Sequence, residues 1–119
     1  MDKNHRLNND GCYGIDLNRN FDAHWMYSGS SGDGCSEIYA GEYAASEKEI
    51  ISIQNYIMSK YQRWSAYFSL HSYGAYWMTN YGYSKSHILE NFLESVNIFN
   101  SYSLLRNYYF FLYSSVQSH

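Results

Sequence analysis

A helix-periodic segment followed closely by a short apolar run constrains this chain more than any other feature. In residues 46–61, Ile50, Ile53 and Ile57 recur at helical spacing with Tyr56 beside them. Ser46 has the residue type of an N-cap, and Glu49 three positions on completes a capping box. Glu47 and Glu49 stand at the positive end of the helix dipole, with Lys60 and Arg63 near the other end. "SAYFSLHSY" comes next. Its Tyr67, Phe68 and Leu70 leave little room for charge, which suits a strand buried in an α/β sheet. That strand delivers His71 at its C-terminal end, the side on which open α/β sheets bind ligands.

The flanking segments are less regular. Residues 1–13 read as loop, with Asn8-Asn9-Asp10-Gly11 as a strong turn signal. Residues 26–36 are dominated by Gly and Ser and read as a second loop. "GAYWMTNYGY" predicts a strand ending in a turn. Ile88, Leu89, Phe92, Leu93 and Val96 then space like one helix face, and beyond about Asn97 the pattern dissolves.

Composition excludes several classes. With 45% hydrophobic residues, the chain is not disordered throughout. A net charge of -3 and no basic patch argue against nucleic acid. No run approaches the roughly 20 apolar residues that span a bilayer. "YYFFLY" is too short, and it follows Arg106. Residues 1–12 lack the apolar core of a secretory signal.

Three groups of residues have chemical potential. In "GIDLNRNFDAHW", Arg19 with Asn18 is suited to clamp a carboxylate, because a planar guanidinium meets it with two charge-assisted hydrogen bonds. From these residues alone, a structural salt bridge of Arg19 to Asp16 or Asp22 is the more ordinary reading. His71 is a candidate metal ligand or a hydrogen-bonded core histidine, with no HExxH in the chain and no second His at helical spacing from it to support a full site. Cys12 and Cys35 bracket one loop, as either a disulfide or two separate thiols, and neither belongs to a CxxC. There is no GxSxG elbow and no phosphate-binding loop with its Lys-Ser/Thr pair.

Taken together, "CYGIDLNRNFDAHW", "SGSSGDGCSEIYAGEYAASEKEI" and "AYFSLHSYGAYW" resemble the zinc metallocarboxypeptidases of the carboxypeptidase A/B type. Three motifs stand in the family's order and at about its spacing, over about Lys3 to Tyr83, with Leu93 as the outer bound. The resemblance implies that Asn18 and Arg19 bind the C-terminal carboxylate of a peptide substrate. It implies that His71 is the third ligand of a catalytic Zn2+, that Tyr73 lines a substrate subsite, and that Cys12 and Cys35 form a disulfide. The implied partner is a peptide or protein C-terminus. The implied reaction is removal of C-terminal amino acids, with no nucleic acid and no membrane involved.

The departures from the family pattern are specific. The family's first two zinc ligands come from an HxxE motif expected upstream of residue 1, and its general base from beyond "HSY", so no catalytic residue is assigned within the chain. Asp2 stands where the family has an Arg that polarises the scissile carbonyl. Gly34 and Asn80 replace two prolines. The expected fold is therefore an incomplete piece of the carboxypeptidase α/β fold, a mixed and mostly parallel sheet flanked by helices. Residues 1–95 are expected to be the partial catalytic domain and residues 96–119 an unmatched Tyr/Phe/Asn-rich tail. The expected function is that of a carboxypeptidase fragment, inactive alone. A non-catalytic carboxylate-binding module and a non-functional product of a truncated gene are the alternatives. The parent protein is expected outside the cell or in the secretory pathway.

Overall fold

The computed structural model describes residues 3–60, 63, 67–71, 77–79, 83, 86 and 109–113. The chain divides into two compact units, Met1–Tyr61 and Gln62–His119. The second helix expected over Ile88 to Val96 lies outside the described residues, as do Asp2, Tyr73 and Asn80.

In the first unit, residues 3–8 run antiparallel to residues 12–16. Bridges join Lys3 to Asp16 and Leu7 to Tyr13, and the Asn4 N–H donates to the Ile15 carbonyl at 3.1 Å. The turn between them is built by Asn8. Its Oδ1 accepts from the N–H groups of Asp10 and Cys12, both at 3.0 Å. This is an Asx-type turn, in which a side chain replaces backbone hydrogen bonds. The chain then passes through a short 3-10 turn, Leu17–Arg19, and returns so that the Asp16 N–H donates to the Tyr39 carbonyl at 2.9 Å. Ile15, Tyr39, Ala40 and Ile50 are buried and form the core of this unit.

Two loops are joined by a Cys12–Cys35 disulfide with Cα atoms 5.2 Å apart. Closing a loop of this length contributes about 3 kcal/mol. The junction also has a polar lock. Asn8 Nδ2 donates to the Gly34 carbonyl at 2.6 Å, and the Gly34 N–H donates to Asp10 Oδ2 at 3.0 Å. A Cβ at position 34 would collide with Asp10 Oδ2 and stand 2.8 Å from Asn8 Nδ2. The family's proline therefore does not suit this loop, because it would also remove the N–H that Asp10 binds. Gly34→Pro is expected to lower stability by about 2 kcal/mol, through the lost donor and the displaced Asn8. An unchanged midpoint of urea denaturation would show that the lock carries no stability.

The predicted helix is present as α1, Lys48–Ser59. The predicted cap is not. Glu47 is the N-cap residue and its side chain makes no capping bond. The Ser46 hydroxyl instead donates to Glu47 Oε1 at 2.8 Å and accepts from Asn20 Nδ2 at 2.9 Å. Burial of this cluster outweighs the local capping preference. Ile50 is fully buried and Ile57 half-buried, whereas Ile53 is 40% exposed. The isoleucine stripe thus faces the core at the start of the helix and becomes uncovered further along.

In the second unit, β1 (Tyr67–His71), β2 (Trp77–Thr79) and β3 (Tyr109–Tyr113) form one sheet in the order β1-β3-β2. β1 pairs with β3 antiparallel, from Tyr67 opposite Tyr113 to His71 opposite Tyr109. β2 pairs with β3 in parallel, from Trp77 opposite Phe110 to Thr79 opposite Leu112. Among the described strands the sheet is mixed, as expected, but parallel pairing does not predominate. Its middle strand comes from residues 96–119, where no periodic pattern is visible. A run of Tyr, Phe and Leu has high strand propensity without alternation.

Candidate functional site

Asn18 and Arg19 occupy the 3-10 turn Leu17–Arg19, and two buried side chains hold that turn from either end. At its start, Asp16 Oδ1 accepts from the Asn18 N–H at 3.0 Å. Asp16 is only 4% exposed. Its Oδ2 lies 3.7 Å from Arg19 Nε, which is an ion pair but too long for a hydrogen bond. Of the two salt-bridge partners weighed from the sequence, Asp16 is the one that Arg19 meets.

At the end of the turn stands Asn20, fully buried. Its Nδ2 donates to the carbonyls of Ala40 (2.7 Å) and Tyr43 (3.1 Å) and to Ser46 Oγ (2.9 Å). Its Oδ1 accepts from the Glu47 N–H at 3.1 Å, and its own carbonyl accepts from the Ala45 N–H at 2.7 Å. Gly41, at φ +90°, permits this approach. A Cβ there would stand 2.5 Å from Asn20 Nδ2 and 2.6 Å from Ser46 Oγ.

The result is a turn fixed below and open above. Asn18 is exposed, and its side chain has no hydrogen-bond partner among the described residues. Arg19 Nε is buried with no acceptor, while the side chain as a whole is 37% exposed. Neither Nη is among the buried, unpaired side-chain atoms of the described residues. Two adjacent side chains thus present amide and guanidinium donors outward, as a carboxylate ligand requires.

A second polar cluster secures the helix start. Glu47, 3% exposed, accepts from Asn4 Nδ2 (2.7 Å), Arg6 Nη1 (2.7 Å) and Ser46 Oγ. Arg6 also pairs with Glu42 at 3.3 Å. The hydrogen bond and charge of Glu47 hold the Arg6 guanidinium above its ordinary pKa. Arg6 is thus committed to two carboxylates. An open cleft of about 440 Å³ lies beside it, lined by His5, Glu47 and Glu49 among others, and does not include Asn18 or Arg19.

His71 ends β1, with Nε2 3.1 Å from Ser69 Oγ, two residues back on the same face of the strand. Among the described residues, no three His, Cys, Asp or Glu side chains come together. A hydrolytic zinc site needs three protein ligands. The described residues therefore do not assemble one, and no step is derived through the metal. No described helix is long and apolar enough to cross a membrane.

Asn20 and Glu47 were not legible as anchors. Asn20 carried no assignment from the sequence, and Glu47 stood as an acid at the positive end of the helix dipole.

Comparison with known proteins supplies the context for this turn. The family model described as zinc carboxypeptidase matches residues 1–113. Carboxypeptidase B2 of Bos taurus is 42% identical over 76 residues, which cover 63% of this chain and 18% of that protein. Carboxypeptidase B of Bos taurus is 43% identical over 72 residues, 60% of this chain and 17% of that protein. Zinc carboxypeptidase A 1 of Drosophila melanogaster is 36% identical over 90 residues, 76% of this chain and 21% of that protein. The chain spans about a fifth of the length of these relatives.

Proposed function

The chain belongs to the zinc carboxypeptidase family, and from that membership we propose that it is a segment of a zinc-dependent hydrolase acting at peptide C-termini, in which Asn18 and Arg19 grip the substrate's terminal carboxylate. The observation that carries this reading is the anchored turn. Asp16 and Asn20 hold the backbone, Arg19 Nε faces inward, and the Nη fork and the Asn18 amide are left to a ligand. A clamp on the free carboxylate sets the distance from the chain end to the bond that is cut, which is what exopeptidase selectivity requires.

The other assignments follow the same family reading. His71 is proposed as one zinc ligand and Tyr73 as part of a substrate subsite. Zn2+, when bound, polarises the scissile carbonyl and lowers the pKa of its bound water. Residues 1–95 are proposed as catalytic-domain sequence and 96–119 as a tail outside the motifs that carry the resemblance. The sheet of the parent protein is proposed to be mostly parallel. Its location is proposed as extracellular or secretory, supported by the Cys12–Cys35 disulfide.

A second reading has its own support. The clamp lies wholly within the first unit and uses no metal, so carboxylate binding without catalysis is open to this chain. One experiment tests what the two readings share. The 119-residue chain is titrated calorimetrically with a short peptide bearing a free C-terminus and with its C-terminal amide. The free acid should bind about tenfold more tightly, the value of one charge-assisted hydrogen bond. Arg19→Ala should remove the preference. Equal affinity for acid and amide in the parent chain would refute the clamp.

A further inference from the structure

The Cys12–Cys35 disulfide joins two loops that are also joined without it. Asn8, only 6% exposed, holds both cysteine segments at once. Its N–H donates to the Cys12 carbonyl at 2.9 Å, and its Oδ1 accepts from the Cys12 N–H at 3.0 Å. Its Nδ2 donates at 2.6 Å to the carbonyl of Gly34, the residue bonded to Cys35. Asp10 Oδ2 takes the Gly34 N–H at 3.0 Å, and Asp33 Oδ1 takes the Cys35 N–H at 2.9 Å. The backbone on both sides of the sulfur pair is therefore fixed by hydrogen bonds, none of which runs through sulfur. The two cysteines are not equally placed, since Cys35 is exposed and Cys12 half-buried.

We propose that Cys12–Cys35 is a reversible thiol–disulfide exchange site for a small soluble thiol, in which Cys35 is the point of attack and Cys12 is the resolving thiol that Asn8 keeps in place. The incoming thiol attacks as its thiolate and forms a bond to Cys35 Sγ. The Sγ–Sγ bond breaks, and its electron pair leaves on Cys12 Sγ, which takes up a proton from water. The product is a mixed disulfide at Cys35 and a free thiol at Cys12. Closure is the reverse: the Cys12 thiolate attacks Cys35 Sγ and expels the small thiolate. A second small thiol that attacks the mixed disulfide at the small molecule's own sulfur instead releases a small disulfide and leaves both cysteines reduced.

Exposure decides which sulfur is attacked, because exchange rates depend on access. Asn8 decides what happens next. An unrestrained loop holds its two thiols at an effective concentration of about millimolar order. Here the Cys12 backbone and the Gly34 carbonyl stay bound to one buried side chain after the sulfur bond opens. The Asp16 N–H to Tyr39 carbonyl bond and the Lys3 Nζ to Ser36 carbonyl bond (both 2.9 Å) tie the same two stretches together further along. Opening the disulfide is thus a reversible mark on the first unit rather than a route to its unfolding.

The test uses the full 119-residue chain. The parent is reduced with dithiothreitol, and amide hydrogen exchange is followed by nuclear magnetic resonance. The Cys12 and Gly34 N–H groups should stay protected to within about tenfold of the oxidised chain, since their acceptors are Asn8 and Asp10. A short pulse of iodoacetamide on the reduced chain should label Cys35 at least about tenfold faster than Cys12. In reduced and oxidised glutathione at a fixed ratio, peptide mass spectrometry should find the glutathione adduct on Cys35. Asn8→Ala should raise the ratio of open to closed pair about tenfold, because the open form loses the bonds that align it.

Loss of protection at Cys12 and Gly34 on reduction would overturn the proposal, because the sulfur bond and not Asn8 would then hold the loops. Equal or faster labelling of Cys12, or glutathione found on Cys12, would overturn it too. So would a parent disulfide that shows neither adduct nor open form in excess reduced glutathione, and an open-to-closed ratio that Asn8→Ala leaves unchanged. The measurements on the parent decide the matter even if Asn8→Ala fails to fold.

Discussion

Asn20→Ala is expected to cost the first unit about 2 kcal/mol, a large fraction of the stability of a marginal domain. The estimate comes from the groups stranded by the change. The Ala40 carbonyl keeps a second donor, Trp25 Nε1 at 3.1 Å, so it is not one of them. The Tyr43 carbonyl keeps the Ser46 N–H at 3.2 Å, so it is not one either, whereas the buried Glu47 N–H loses its acceptor. Each buried group left unpaired costs about 1–3 kcal/mol. Asn20→Asp should be no better, because its carboxylate would face the oxygens of Ala40, Tyr43 and Ser46 with no proton to give them. Asn18→Ala, two residues earlier in the same motif, should change stability by less than about 0.5 kcal/mol, since that side chain is exposed. Urea denaturation followed by far-ultraviolet dichroism separates the two. Equal effects at Asn18 and Asn20 would show that the buried network is not what holds the turn.

The 119-residue chain itself should release no amino acid from peptides above background, with or without added Zn2+. The family resemblance assigns one zinc ligand, His71, to these residues and assigns the general base to none of them. The described side chains bring no three metal ligands together. The resemblance puts Asp2 in the place of the carbonyl-polarising Arg, and Arg6 is engaged with Glu47 and Glu42. A single imidazole holds zinc weakly, and metal-assisted hydrolysis needs the open, three-ligand site. The measurement is release of free amino acid from peptides with aromatic, aliphatic and basic C-termini. Release that is abolished both by a chelator and by His71→Ala would show that the chain rebuilds a site, for example by association of copies.

The site was legible in part because its essential residues are contiguous. "DLNRN" places a capping acid, two donors and an anchor within five positions, and a 3-10 turn needs little more than that. The choice between Asp16 and Asp22 as the partner of Arg19 was not legible. Both are within three residues of Arg19, and only the path of the turn decides which one is turned inward. The Cys12–Cys35 pairing was likewise open on spacing alone. The family resemblance implied it, and the fold brings the two Cα atoms to 5.2 Å.

The amino-acid sequence by itself determined the features that depend on near neighbours. These are the Asn8 turn, the helix around Ile50, the apolar strand ending at His71, and the motifs that assign the family. Tertiary structure alone decided the features that join distant segments. Ser46 has the residue type of a helix cap, yet it serves Asn20, 26 residues away. Glu47 looks like a first-turn acid, yet it anchors Asn4 and Arg6, more than 40 residues back. β3 carries no period of its own, yet it stands between β1 and β2. The reason is physical. Local preferences such as capping are worth about 1 kcal/mol, whereas a buried polar group left without a partner costs as much or more. Where the two compete, the partner brought near by the fold prevails.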